Sequence, residues 1–324
     1  MAHRIIVRRH GGPEVLEFEA YDVPAPGPGE AVVRHEAIGL NFIDVYFRTG
    51  LYAAPLPLTP GMEGAGVVEA VGPDVSFVQP GQRVAYAGTP IGAYADLRVM
   101  PAEKLVPLPD TVPAETAAAM MLKGMTAQYL LRQTYRVQPG DTILFHAAAG
   151  GVGLIAGQWA RHLGATVIGT VGSAEKAELA RAHGYHHVID YRREDFVAKV
   201  KEITGGAGVA VVYDGVGKDV FLPSLDCLRP CGMAVNFGNA SGPVENLNLL
   251  TLSAKGSLFV TRPTLMTYTR TRDLLLACAG DLFDVVGSGA VKIEIHQRFP
   301  LAEATEAHRA LEGRATTGST LLIP

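Results

Sequence analysis

The stretch HAAAGGVGLIAGQWA, residues 146–160, constrains this chain more than any other. An apolar run, DTILFHA (141–147), stops at a cluster of small residues. A helical pattern, GGVGLIAGQWARHLG (150–164), starts from that cluster. Ala148, Gly150 and Gly153 stand in A-x-G-x-x-G spacing, and Gly151 adds backbone freedom. Such spacing allows a tight turn, close approach of the backbone to a pyrophosphate, and close packing of helix on sheet. The helix start then offers N–H groups and a favourable dipole to phosphate oxygens. Small residues at a strand–helix junction also serve plain packing, so the glycines alone decide little. Their setting decides: a strand precedes, a helix follows, and a full βαβ unit surrounds them.

The alternation continues along the chain. ATVIGTV (165–171) reads as a strand. SAEKAELARAHG (173–184) reads as a helix with Ser173 as N-cap and Gly184 just past its end. HHVIDY (186–191), VAVVYDGVG (209–217), GMAVNFG (232–238) and GSLFVTRP (256–263) read as strands. Helices are expected over REDFVAKVKEITG and around PSLDCLRP. Continuous apolar strands alternating with helices predict a parallel sheet covered on both faces.

The first third differs. AVVRHEAIGL (31–40), EGAGVVEAVG (63–72) and QRVAYAG (82–88) are short strand patterns separated by PAPGPGE, VGPD and QPGQ turns. Such punctuation predicts a compact β-rich domain. From about residue 111, TVPAETAAAMMLKGMTAQYLLRQTY reads as helix, as does TRDLLLACAGDLFDVVGSG (271–289). KIEIHQRFP and GSTLLIP are strand-like ends that return to the first domain. The chain of 324 residues is long for one core, and the fold class is α/β in two domains.

With 28 basic and 32 acidic residues the net charge is −4, which gives no general attraction for nucleic acid or anionic membrane. No apolar run approaches the roughly 20 residues that span a bilayer. The N-terminus MAHRIIVRRHGG has no signal-peptide core and leads directly into a strand, so a cytoplasmic protein is expected. Three cysteines, Cys227, Cys231 and Cys278, make no disulfide framework.

An NAD-selective site carries an acidic residue about 20 positions beyond the glycine loop, at the end of the second strand. Here that strand ends in Gly172 and Ser173, and Lys176 follows. A missing carboxylate avoids repelling a 2′-phosphate, and a lysine attracts it. NADPH is therefore favoured. Glu175 is a counter-signal, and Lys176 also reads as a solvated helix residue.

GGPEVL (11–16), GLNFIDVYFRTGLY (39–52), LFHAAAGGVGLIAGQWA, GTVGSAEK, VVYDGVG, GSLFVTRP and the tail RATTGSTLLIP follow one another in order. In these stretches the chain resembles, nearly end to end, the zinc-free quinone oxidoreductases of the medium-chain dehydrogenase/reductase superfamily, the group of the zeta-crystallins. The resemblance implies a GroES-like β-rich catalytic domain (1–122 and 271–324) and a Rossmann-like doubly wound parallel sheet that binds NADPH (123–270). It also implies a homodimer joined through edge strands, here GSLFVTRP, since sheet extension satisfies exposed edge groups. It places Asn41, Asp44 and Tyr46 beside the nicotinamide, and Lys123 and Tyr129 near the linking helix. It places Gly150, Gly151, Val152 and Gly153 on the pyrophosphate, and Gly172, Ser173, Lys176 and Tyr191 around the adenosine ribose and its 2′-phosphate. Phe237, Gly238 and Asn239 follow the fifth strand, and Val260 and Arg314 close the remaining side. Relatives can carry serine at the position of Val216, so that contact is not carried over.

Zinc needs three or four ligands, mostly Cys and His. Cysteine is absent before Cys227, and Gly61-Met62-Glu63 stands where a zinc enzyme shows Gly-His-Glu. No metal is expected. Cys227 and Cys231 read as buried small hydrophobes, and His186 and His187 as strand-end residues facing opposite ways. A quinone accepts a hydride without a Lewis acid, so the expected activity is NADPH-dependent quinone reduction by hydride transfer. Asn41, Asp44, Tyr46 and Tyr52 form the candidate catalytic set. Tyr46 and Tyr52 are proton-donor candidates or walls of the pocket, Asn41 a nicotinamide contact or a turn cap, and Asp44 a loop organiser rather than a proton carrier. The alternatives are an NADPH-dependent alkenal or enone reductase, since architecture does not fix substrate, and a non-catalytic NADPH-binding crystallin-like or RNA-binding protein.

Overall fold

The computed structural model describes residues 1–313 and 315–324. Arg314, expected on the cofactor, lies outside the described residues. The chain divides into two compact units. The first comprises Met1–Met125, Tyr268–Gly287 and Ile293–Pro324, the second Thr126–Thr267 and Ser288–Lys292.

The N-terminal part runs β1 (Ala2–Ile6), β2 (Glu17–Tyr21), β3 (Glu30–Leu40), α1 (Phe42–Thr49), β4 (Glu63–Val71), β5 (Arg83–Ala87), β6 (Leu97–Pro101), β7 (Val106–Pro107) and α2 (Ala114–Tyr129). The middle runs β8 (Thr142–Phe145), α3 (Gly151–His162), β9 (Thr166–Val171), α4 (Ala174–Ala182), β10 (His187–Asp190), α5 (Phe196–Ile203), β11 (Val209–Asp214), α6 (Phe221–Ser224), β12 (Leu228–Asn236), α7 (Leu249–Ala254), β13 (Phe259–Thr261) and α8 (Leu265–Tyr268). The last part is α9 (Arg272–Gly287), β14 (Ile295–Pro300), α10 (Ala304–Glu312) and β15 (Ser319–Ile323).

Strand β3 organises the first unit. Along one edge it pairs antiparallel with β4. Along the other it pairs first with β6, through Glu30–Arg34, and then with β15, through Ile38–Leu40. Register shifts at Val32/Val33 and His35/Ala37 bend the strand between these partners, because an extra residue on one strand sharpens twist and direction. The chain thus returns at its end to its first sheet, with β14 beside β15. Val33, Ile38, Leu40, Val68, Val84, Tyr86, Met100 and Leu322 share its core.

In the second unit the strand order is β10-β9-β8-β11-β12-β13, with every neighbouring pair parallel. This is the doubly wound order, whose topological switch lies between β8 and β11. Every residue of β11, VAVVYD, is buried, as expected for a central strand with both faces covered. Leu144, Ile168, Ile189, Val212, Phe221 and Leu225 belong to one core cluster of this unit.

Three details differ from the sequence reading. The helix expected around PSLDCLRP ends at Ser224 with a short turn to Cys227, and β12 already begins at Leu228. Cys231 is consequently exposed rather than buried. Pro230 and Cys231 form an irregular segment of β12 in which Cys231 takes φ 58° and donates its N–H to Gly256 O. Cys227 is buried, as expected. Two helices, α1 and α10, stand outside the expected elements. In α1, Phe42, Val45, Tyr46 and Thr49 fall at i, i+3, i+4 and i+7, and in α10 so do Ala304, Ala307, His308 and Leu311.

Candidate functional site

In the first unit the candidate residues gather where β3 runs into α1. Asn41 precedes the helix, and its backbone N–H donates to Asp44 Oδ2 at 2.9 Å. An acidic side chain three residues into a helix is well placed to accept that otherwise orphaned donor. The Asn41 amide donates to Glu63 Oε2 (2.7 Å) and to Gly39 O (3.3 Å). Glu63 is fully buried at the start of β4. It also accepts from Lys123 Nζ at 3.1 Å and from Leu122 N–H at 2.8 Å. The expected cofactor residue Lys123 therefore spends its ammonium on neutralising a buried carboxylate, which would be costly if unpaired.

Asp44 is also fully buried. Its Oδ2 accepts a second bond, from Tyr94 Oη at 3.0 Å, while Oδ1 has no hydrogen-bond partner. Burial pushes the carboxyl up to about 7 against the opposing pull of the Asn41 N–H, the Tyr94 O–H and the Lys123 charge. The Tyr46 ring lies 5.2 Å from that of Tyr52, and Phe47 meets Tyr52 edge-on at 5.7 Å. The Tyr52 N–H donates to Tyr46 O. These contacts make Tyr46, Tyr52 and Phe47 one aromatic wall.

In the second unit the glycine loop leaves β8 and enters α3. Within this loop and helix start, the first α-helical bond runs from Leu154 N–H to Gly150 O. The amides of Gly151, Val152 and Gly153 have no acceptor within the helix. A Cβ on Gly153 would lie 2.5 Å from Ala147 O and 2.6 Å from Ala148 O. Only glycine permits the helix to start this close to the loop. His146 anchors the loop from below: Nδ1 meets Thr170 Oγ1 at 2.9 Å and Nε2 meets Ser224 Oγ at 2.8 Å.

At the end of β9, Ser173 caps α4, its hydroxyl accepting from Lys176 N–H at 3.3 Å. Glu175 is exposed and its carboxyl is held below its usual range by its own backbone N–H and the Ser173 hydroxyl. It is folded back on its own turn. A Cβ on Gly172 would lie 2.6 Å from Tyr191 Oη and 3.5 Å from Arg192 Nε. Gly172, Tyr191 and Arg192 thus lie close together beyond the C-terminal ends of β9 and β10. Arg192 was not singled out from the sequence; its signal is the RR pair that follows the strand HHVIDY.

The segment after β12 is held by Asp214. Oδ1 accepts from the Val216 and Gly217 N–H groups, and Oδ2 accepts from Asn236 Nδ2, which also donates to Gly238 O. Phe237 stacks obliquely on Phe145, 5.7 Å away, beside the glycine loop, and Asn239 follows in the same segment. Val260 sits in β13 opposite Ala234. Tyr129 is buried at the end of α2. His186 Nδ1 accepts from Val167 N–H, and His187 is exposed. Among the described residues no group of three or more His, Cys, Asp or Glu side chains is arranged to hold a metal ion.

The family model for the alcohol dehydrogenase GroES-like domain matches residues 27–110, and that for zinc-binding dehydrogenases matches residues 151–275. A quinone oxidoreductase of Pseudomonas aeruginosa is 58% identical over 325 residues, covering 100% of both chains. The chain belongs to the zinc-independent quinone oxidoreductase family. A crystal structure of the Escherichia coli quinone oxidoreductase complexed with NADPH superposes with a TM-score of 0.98 at 50% identity, covering 99% of this chain and 100% of that one. A 2-haloacrylate reductase of a Burkholderia species is 47% identical, covering 100% of this chain and 99% of that one. The carboxylate that follows Met62, Glu63, is satisfied by Asn41, Lys123 and a backbone amide.

Proposed function

We infer that this protein is an enzyme that reduces quinones with NADPH and without zinc. The observation that carries the reading is the full-length match to quinone oxidoreductases. The residues fit the cofactor. Gly153 leaves room for a backbone cradle that a Cβ would fill, and the helix start behind it suits a pyrophosphate. Gly150, Gly151 and Val152 complete that cradle. Ser173, Lys176, Tyr191 and Arg192 suit a ribose 2′-phosphate, with Glu175 turned back on its own helix. Phe237, Gly238, Asn239 and Val260 border the same end of the parallel sheet. Asn41, Asp44 and Tyr46 are assigned to the nicotinamide, and Asp44 Oδ1 is buried without a hydrogen-bond partner.

Bound NADPH supplies the hydride. The overall change is NADPH plus quinone plus one proton, giving NADP⁺ plus hydroquinone. The chain's own residues orient the reactants and exclude competing chemistry. Tyr46 and Tyr52 wall the acceptor site.

A homodimer joined through β13 belongs to the same reading. β13 ends the parallel sheet, and Phe259 on it is 57% exposed, with Leu249 and Leu250 of α7 at 74% each. An exposed strand edge flanked by apolar side chains favours pairing with a second copy. No helix among the described residues is long and apolar enough to cross a membrane. Work in the cytoplasm is consistent with three free cysteines.

A second reading, reduction of activated alkenes, is favoured by the 47% identity to a 2-haloacrylate reductase. The test offers NADPH or NADH to EDTA-treated protein with 1,4-benzoquinone, 2-chloroacrylate or a simple enone. Fast NADPH oxidation by the quinone alone supports the first reading. Turnover of the alkenes alone replaces it with the second.

A further inference from the structure

A chain of buried polar groups runs from α10 to α1, and the function proposed above uses only its last member. Arg48 is fully buried. It donates through Nη1 and Nη2 to Glu312 Oε1 (2.7 Å) and Oε2 (2.9 Å), and through Nη1 to His308 Nδ1 (2.9 Å). His308 Nε2 lies 3.1 Å from Tyr94 Oη, which in turn lies 3.0 Å from Asp44 Oδ2. The direction of every bond follows from the first. Arginine can only donate, so His308 Nδ1 accepts and the ring hydrogen sits on Nε2. Nε2–H therefore donates to Tyr94 Oη, and the Tyr94 hydroxyl is left to donate to Asp44. Oδ2 is then filled by Tyr94 and by the Asn41 N–H, and Oδ1, also buried, has no hydrogen-bond partner.

We propose that Tyr94, His308 and Arg48 are positioning residues that hold the Asp44 carboxyl where its charge discriminates the oxidised cofactor from the reduced one. The inference rests on the assignment of Asp44 to the nicotinamide. An oxidised nicotinamide is a cation and a reduced one is neutral. In a water-excluded site an ionised carboxylate attracts the first far more than the second.

The surroundings make Asp44 the member of this chain that changes charge near neutral pH. Burial lifts it to about 7. His308 is pushed down to about 3 by burial and the adjacent Arg48, so it stays neutral. Tyr94 is pushed well above its usual value by burial and by Asp44 itself. The other charged groups facing Asp44 are Lys123 of α2, which favours its ionised form, and Glu63 of β4, which opposes it. By linkage, a cation that binds better to ionised Asp44 displaces its proton.

The test compares NADPH and NADP⁺ affinities across neutral pH, by cofactor fluorescence and by competition. The 2′-phosphate also titrates, but it is common to both forms and cancels in their ratio. In the wild type the preference for NADP⁺ over NADPH should rise with pH, by up to about tenfold per pH unit through one inflection. Asp44→Asn should flatten that dependence. Tyr94→Phe removes one oxygen and one donor to the carboxylate, so the inflection should move to higher pH. His308→Gln, which keeps an acceptor for Arg48 and a donor for Tyr94, should restore wild-type behaviour. An inflection that survives in Asp44→Asn, or stays unmoved in Tyr94→Phe, overturns the inference, as does a wild-type ratio without pH dependence. In that last case tight NADPH binding with quinone turnover leaves the proposed function standing. A wild type that binds neither cofactor overturns both. Should Tyr94→Phe fail to fold, Asp44→Asn alone decides.

Discussion

Arg48 and Glu312, 264 residues apart in the chain, meet as a two-pronged ion pair in which the arginine is fully buried and the glutamate is 32% exposed. The pair clamps the C-terminal helix α10 onto α1, the helix that carries Asp44 and Tyr46. The asymmetry in exposure decides what each substitution costs. Glu312→Leu strands a buried cation and should cost about 3 kcal/mol. Adding Arg48→Met removes the stranded charge, so the double variant should be more stable than Glu312→Leu alone. Urea denaturation of the two singles and the double measures this. Strict additivity of the single losses would show that the two residues do not act as a pair.

Gly153→Ala tests the phosphate cradle. The added Cβ would meet two backbone oxygens, at 2.5 and 2.6 Å, and backbone cannot swing aside as a flexible side chain can. The start of α3 must shift, moving the amides of Gly151 and Val152. NADPH affinity should fall at least about tenfold, or about 1.4 kcal/mol. A fluorescence titration reads the loss. Unchanged affinity in a well-folded variant would remove the loop from the cofactor site.

Cofactor selectivity should reside in Lys176 and Arg192. Replacing either by alanine removes one charge-assisted bond, each worth about 1.5–3 kcal/mol. NADPH affinity should drop on the order of tenfold or more while NADH affinity stays nearly constant. Equal losses for the two cofactors would point to a structural role for these side chains instead.

Acid should destabilise the protein in a defined window. Burial pushes His35, His146 and His308 down to about 3 from an ordinary 6.5. Their folded values lie below the unfolded ones, so the folded state excludes protons that the unfolded chain takes up. Their contribution is present above pH 6.5 and is lost as pH falls towards about 3, at about 1.4 kcal/mol per pH unit for each histidine. Asp44 acts in the opposite sense. Raised from 3.8 to about 7, its contribution is present below pH 3.8 and is lost as pH rises through about 7. Between these limits unfolding should take up a net of about two protons. Denaturation midpoints at neutral pH and at about pH 5 measure it. A midpoint that does not fall on acidification would contradict the neutral, buried state of these histidines.

Much of the architecture is legible without coordinates. Residues 141–217 alternate apolar strand and amphipathic helix, and the strands of the second unit follow that alternation. Ser173 reads as an N-cap because capping is a local affair of a hydroxyl and an amide three residues on, and the bond is there. The glycine loop is legible for the same reason, since its geometry depends on its own residues and the helix they start. The helices α1 and α10 carry a readable period, but each is short, of 8 and 9 residues, and lies between strands.

What sequence could not yield is everything that depends on distant segments meeting. Nothing local marks His308 as the partner of Tyr94, or Glu63 as the common acceptor for Asn41 and Lys123. Cys231 looks identical in composition to a buried cysteine, and only the irregular entry of β12 turns it outward. Short-range periodicity, capping and glycine spacing determined the strand–helix plan and the glycine loop, because those energies are settled within a few residues. Tertiary structure alone decided which buried charges are paired, because a desolvated carboxylate is satisfied by whichever donor the fold brings within reach.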